Sequence, residues 1–136
     1  MYKSKVTIEY IGKIPSVNSV YGRNPWGGLY TKAVGVKLKS TIAYMYNNVR
    51  MNPSVELGYH LDVYAPFYNA SKDAKSIFKK RDTDNMLKVI LDSVCDALHI
   101  NDTQFFETSQ RKIHSKNEKF IIKIYELDSS KVARPA

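Results

Sequence analysis

Polar and apolar side chains alternate from the start of the chain. Lys5-Val6-Thr7-Ile8-Glu9-Tyr10-Ile11 has the period of two expected of a strand with one buried face. Ile14 to Tyr21 follows, and then Gly22-Arg23-Asn24-Pro25-Trp26-Gly27-Gly28, whose density of turn formers predicts an exposed loop. Over residues 31–50 the period changes. Val34, Leu38, Ile42, Met45 and Val49 recur at helical spacing, with Lys32, Lys37 and Lys39 on the polar side, which predicts a basic amphipathic helix. Pro53 closes that region, and residues 55–65 alternate again, with Val55, Leu57, Tyr59, Leu61 and Val63 on one face of a second strand. Residues 66–81 lose all periodicity. A second helix is predicted over 84–98, capped by Asp84 or a neighbour, with Leu87, Ile90, Leu91, Val94, Ala97 and Leu98 as its apolar stripe. Two strands, 105–113 and 119–127, flank the polar turn His114-Ser115-Lys116-Asn117-Glu118, and a loose tail is expected after Asp128. The expected architecture is α+β, one domain over residues 1–136, in the order β-α-β-α-β-β, with helices packed on a mixed sheet.

Composition supports a folded chain and adds a partner. With 136 residues, 43% of them hydrophobic and 25% charged, the chain can bury one core but not two. A net charge of +8 creates a field that attracts polyanions, which makes nucleic acid the leading partner class. The start of the chain shows no signal-peptide pattern, and no apolar run reaches the ~18 residues of a membrane span, so a soluble, cytoplasmic protein with no membrane partner is expected. The single cysteine, Cys95, falls among apolar helix positions and reads as a core residue of a reduced compartment.

Candidate chemistry concentrates around residue 82. Asp82 and Asp84 follow the basic run Lys79-Lys80-Arg81 and open a helix. Magnesium takes hard oxygen ligands, commonly one or two carboxylates together with water and substrate phosphate, and two aspartates so spaced can share an ion if the backbone bends. An isolated Asp-x-Asp is more often a helix cap favoured by the helix dipole. Context favours chemistry here. Lys88 lies one helical turn beyond Asp84, placed to hold a phosphate or to stabilise charge on a leaving oxygen. Asn85 reads as an orienting group or a plain first-turn residue, and Asp92 and Asp96 as solvated positions. Asp102, after the helix, is a candidate third carboxylate, but a straight helix of ~14 residues at ~1.5 Å per residue sets its ends ~21 Å apart. Asp102 then needs a short or bent helix, or a second subunit, to reach the other two.

These residues resemble the RusA family of Holliday junction resolvases. The resemblance runs through Arg81-Asp82-Thr83-Asp84-Asn85-Met86-Leu87-Lys88, Leu91-Asp92, Ala97-Leu98 and Asn101-Asp102-Thr103-Gln104, with Asn101 standing where the family pattern has a first acid. Pro15-Ser16-Val17-Asn18 resembles the segment that follows the family's first strand. The resemblance implies a homodimer that binds a four-way junction and makes paired, symmetric nicks with Mg²⁺, or alternatively Mn²⁺. Asp82, Asp84 and Asp102 would be the catalytic and metal-binding acids, with Lys88 assisting. Lys72, Lys75, Lys79, Lys80 and Arg81 would track the DNA backbone, joined by Asn18, Arg23 and Lys32, and would make binding weaken with salt. Trp26, Tyr21 and Tyr30 are equally suited to stacking on bases and to packing, Tyr44 and Tyr46 are read as packing residues, and His60, His99 and His114 have no ligand spacing.

Three other readings compete. Asp-x-Asp phosphatases place the pair at the end of an apolar strand, whereas Lys79-Lys80-Arg81 precede it here. A non-catalytic basic DNA-binding protein would explain the charge without the acids. A nuclease of broader taste would cut flaps and forks as well as junctions.

Overall fold

The computed structural model describes residues 1–15, 21–23, 29–31, 33–69, 77–78 and 83–128, with the side chains of 21–23, 29–31, 33–34 and 83–85 left aside. In chain order the elements are β1 (Lys5–Ile11), β2 (Tyr21–Arg23), β3 (Leu29–Thr31), α1 (Ala33–Met45), β4 (Leu57–Ala65), α2 (Thr83–Leu98), a 3-10 turn (Asp102–Gln104), β5 (Phe105–His114) and β6 (Lys119–Glu126). The fold is α+β with a mixed four-stranded sheet and two helices, and to the expected elements it adds a 3-10 turn and, in part of the expected loop, a short hairpin, β2 paired antiparallel with β3.

The mixed sheet has the order β1-β6-β4-β5. β6 runs antiparallel to β1 and to β4, and β4 runs parallel to β5. The parallel pair is joined by α2, which packs against α1. Strand periodicity decides which face is covered. Ile8 and Tyr10 of β1, Leu57, Tyr59, Leu61 and Val63 of β4, and Phe120, Ile122 and Ile124 of β6 are buried in one cluster with Leu38 and Ile42 of α1 and Val89, Ile90, Val94 and Leu98 of α2. Full burial of an aliphatic or aromatic side chain of this size contributes roughly 1.5–3 kcal/mol, so this face holds the layers together. Both helices lie on it. The alternate residues, among them Thr7, Glu9, His60, Asp62, Lys123 and Tyr125, form the sheet's other side, which no described element covers.

Two details of α1 depart from the helical stripe. The helix ends at Met45 rather than near residue 50, and Met45 is 54% exposed. Tyr46 turns in against the core instead, and its hydroxyl accepts the Glu9 N–H at 3.2 Å. Tyr44 is exposed rather than packed. No helix among the described residues is long and apolar enough to cross a membrane.

Candidate active site

α2 is the spine of the candidate site. It begins at Thr83, so Asp84 lies inside its first turn rather than ahead of it, and it continues unbroken for 16 residues to Leu98. Met86, Val89, Ile90, Val94 and Leu98 turn inward. Lys88, Asp92 and Asp96, four residues apart, follow one another along the outer side, with Lys88 and Asp96 exposed and Asp92 half-buried. Lys88 is exposed on this outer side of the helix, one turn from Asp92.

The end of α2 determines where Asp102 goes. His99 adopts a left-handed conformation at φ 57°, and the Ile100 N–H returns to the Cys95 carbonyl at 3.1 Å, the six-to-one closure that terminates many helices. The chain then reverses. Asn101 caps the following 3-10 turn: its side-chain oxygen accepts from the Thr103 N–H at 3.0 Å and the Thr103 hydroxyl at 2.9 Å. An amide serves this capping role as well as a carboxylate does, which gives the departure from the family pattern at position 101 a structural use.

Gln104 anchors the turn. Buried at 9% exposure, it accepts the Asn101 N–H at 2.9 Å and donates to the carbonyls of Asn52 at 3.0 Å and Val55 at 2.9 Å. Asp102 is thereby folded back beside the second half of α2. It lines a groove of about 200 Å³ with Leu91, Asp92, Cys95, Asp96, Ile100 and Asn101. Its carboxylate is exposed and takes no hydrogen bond from a described residue. Burial first, and then the negative charges of Asp102, Asp92 and Asp96, push the Cys95 thiol up to about 12, so Cys95 is a buried, protonated core residue. Asp92 and Asp96, expected as merely solvated, belong to the walls of this groove. The available sign was the four-residue spacing that runs from Lys88 to Asp92 and on to Asp96.

The backbone of Asp84 and the turn carrying Asp102 lie at different levels along α2. From Asp84 to Cys95, the level at which Asp102 returns, the helix axis advances about 16 Å at ~1.5 Å per residue. α2 runs for 16 residues, so it is not the short helix that would remove that separation. Among the described residues no group of three metal-ligating side chains is assembled. Asp82, Lys72, Lys75, Lys79, Lys80, Arg81, Asn18, Lys32 and Trp26 lie outside the described residues, and Arg23 is placed only as a backbone position in β2. The basic segment has a described stem, where Tyr68 pairs across an antiparallel bridge with Phe78.

A family model described as Endodeoxyribonuclease RusA matches residues 12–125. The chain belongs to the RusA family. It is an endodeoxyribonuclease by family, and the match runs from just after β1 to near the end of β6, taking in α2, the turn carrying Asp102 and both helices of the covered face. A search of curated proteins finds no match.

Proposed function

We propose that this RusA-family protein resolves four-way DNA junctions, as a homodimer, by Mg²⁺-dependent paired nicks, with Mn²⁺ as the alternative ion. The observation that carries the proposal is the family match over α2 and its return turn, the elements that hold Asp84, Lys88 and Asp102. Asp82, Asp84 and Asp102 would hold the ion. Their oxygens are the hard donors Mg²⁺ requires, and Asp102 offers an exposed carboxylate with no described hydrogen-bond partner. When bound, the ion supplies Lewis-acid stabilisation and a water of lowered pKa.

The residues of the chain do the remaining work. Lys88 meets the scissile phosphate and neutralises charge developing on the departing oxygen. The basic run 72–81 brings the phosphates of an arm toward an otherwise acidic helix face, against the repulsion of Asp92 and Asp96. The axial separation of Asp84 from Asp102 favours a site completed by a second copy of the chain, whose Asp102 would approach the helix start of the first. Dimerisation and cleavage are then coupled, and two such sites related by a two-fold axis would give two nicks.

The test is cleavage and binding by single-site variants. Asp82→Asn and Asp102→Asn are expected to abolish cleavage of a four-way junction in Mg²⁺ while binding survives or tightens, because a charge repelling DNA is removed. Unchanged cleavage by either variant refutes the assignment, and cleavage of flaps and forks at the same rate as junctions identifies the broader branched-DNA nuclease.

A further inference from the structure

The uncovered side of the sheet carries a ring laid flat on the backbone. Tyr125 of β6 stands opposite Lys5 of β1 on one side and Gly58 of β4 on the other. A Cβ built on Gly58 would lie 2.6 Å from Tyr125 Cε2 and 2.7 Å from Cζ, so the ring occupies the space a side chain would need. Its hydroxyl donates to Glu107 Oε2 of β5 at 3.0 Å, which fixes the ring's long axis across the sheet. Only one ring face is used in this way. Tyr125 is half-buried and lines a groove on the side that no described element covers.

Beside the ring runs an open groove of about 450 Å³ lined by Lys5, Val6, Thr7, Lys123, Ile124 and Tyr125, within the ~300–1,000 Å³ of small-ligand sites. Lys123 stands opposite Thr7 and His60 in the next row of the sheet. Positive charge therefore lies on the β1 side of the ring, while the Glu107 carboxylate accepts from its hydroxyl on the β5 side. Bases stack on fixed aromatic faces whatever their identity, and flanking lysines hold the phosphates. A pre-fixed ring loses little freedom on binding.

We propose that the open sheet face around Tyr125, Lys5, Lys123 and Thr7 binds an unpaired nucleotide of single-stranded DNA, stacking its base on Tyr125 and its phosphates on the two lysines. It rests on the reading of branched DNA as substrate, since a branch point can present unpaired bases, and it adds a contact on the side of the sheet away from α2. Duplex, whose bases are already stacked, gains nothing from the ring.

The probe is a fluorescein-labelled 15-mer of deoxythymidine, followed by anisotropy against the intact protein, with a hairpin duplex of matched length beside it. Tyr125→Leu is expected to weaken 15-mer binding roughly 5- to 150-fold, the equivalent of losing one stacked base, and to leave duplex binding unchanged. Tyr125→Phe keeps the ring and most of the affinity, and Lys5→Ala with Lys123→Ala flattens the salt dependence. In the unaltered protein, irradiation of a 5-iododeoxyuridine 15-mer should crosslink to Tyr125, a readout that no folding defect can disturb. A folded Tyr125→Leu protein that binds the 15-mer as tightly as the parent, or a crosslink mapping away from β1 and β6, overturns the proposal. Junction cleavage that persists alongside that result leaves the resolvase reading standing, whereas a Tyr125 crosslink in a protein that cuts no branched DNA leaves this one standing alone.

Discussion

Gln104→Ala separates the support of the candidate site from its chemistry. The parent side chain accepts one N–H and donates to two carbonyls, at 2.9, 3.0 and 2.9 Å, and so ties the turn carrying Asp102 to the loop between α1 and β4. A net contribution of roughly 0.5–1.5 kcal/mol per hydrogen bond, with water reaching some of the groups left behind, puts the cost near 2–3 kcal/mol. For a small domain with a urea m-value of ~1–3 kcal/mol/M, the midpoint should fall by about 1–2 M. Gln104→Glu distinguishes geometry from volume. It keeps an acceptor for Asn101 but turns an anion toward two carbonyl oxygens, so it should be at least as destabilised at pH 7 and should recover as the new carboxyl takes a proton. Cleavage should drop further than the loss of folded protein explains in both variants, because Asp102 is no longer held against α2. A midpoint shift equivalent to less than ~0.5 kcal/mol for Gln104→Ala would refute the argument that these bonds hold the turn.

Asn101→Ala, which removes the cap of the same turn, should cost about 1 kcal/mol, read from the urea midpoint. Burial works to raise the Asp62 carboxyl, but hydrogen bonds and charge from Arg111 and His60 outweigh it and leave it below its ordinary value. That stabilisation is present above the ordinary carboxylate pKa and lost as pH falls through the depressed one; Asp62→Asn should flatten the acid limb of a stability–pH curve and cost no more than ~1 kcal/mol at pH 7. Cys95, held protonated to about 12 by burial and then by Asp102, Asp92 and Asp96, should resist a thiol reagent at pH 8 in the native protein and react on unfolding. Since its folded pKa is raised, stability should decline as pH climbs from the ordinary thiol value toward 12, and less so in Cys95→Ala. Leu38→Ala should cost ~2–5 kcal/mol and Met45→Ala well under 1, because only the first is buried.

The strands were most legible where one face is buried and the other wet. β1 follows its alternation residue for residue, and β4 differs from expectation only in starting at Leu57. β5 is the contrary case: an edge strand exposed on both sides, it carries little burial pattern of its own. The three-residue strands β2 and β3 are too short for any period to show. In α1 the apolar stripe runs on past the helix, because Tyr46 in the turn takes the inward position that Met45 would have had.

At the site, Asp84 and Lys88 could be paired from spacing alone, since both belong to one helix. The position of Asp102 could not. It depends on a left-handed residue at His99, where glycine is the usual choice, and on Gln104 reaching carbonyls some fifty residues earlier in the chain. The platform at Tyr125 was equally hidden, because a glycine in β4 and a tyrosine in β6 become neighbours only through sheet register.

The central claim is tested most directly on a four-way junction with two opposite strands end-labelled, incubated with the pure protein in Mg²⁺ or in EDTA beside a linear duplex of the same sequence. Paired nicks at symmetric positions in the junction, present only with the ion and absent from the duplex, are the predicted result. Failure to cut under any divalent ion, or equal cutting of junction and duplex, would contradict it.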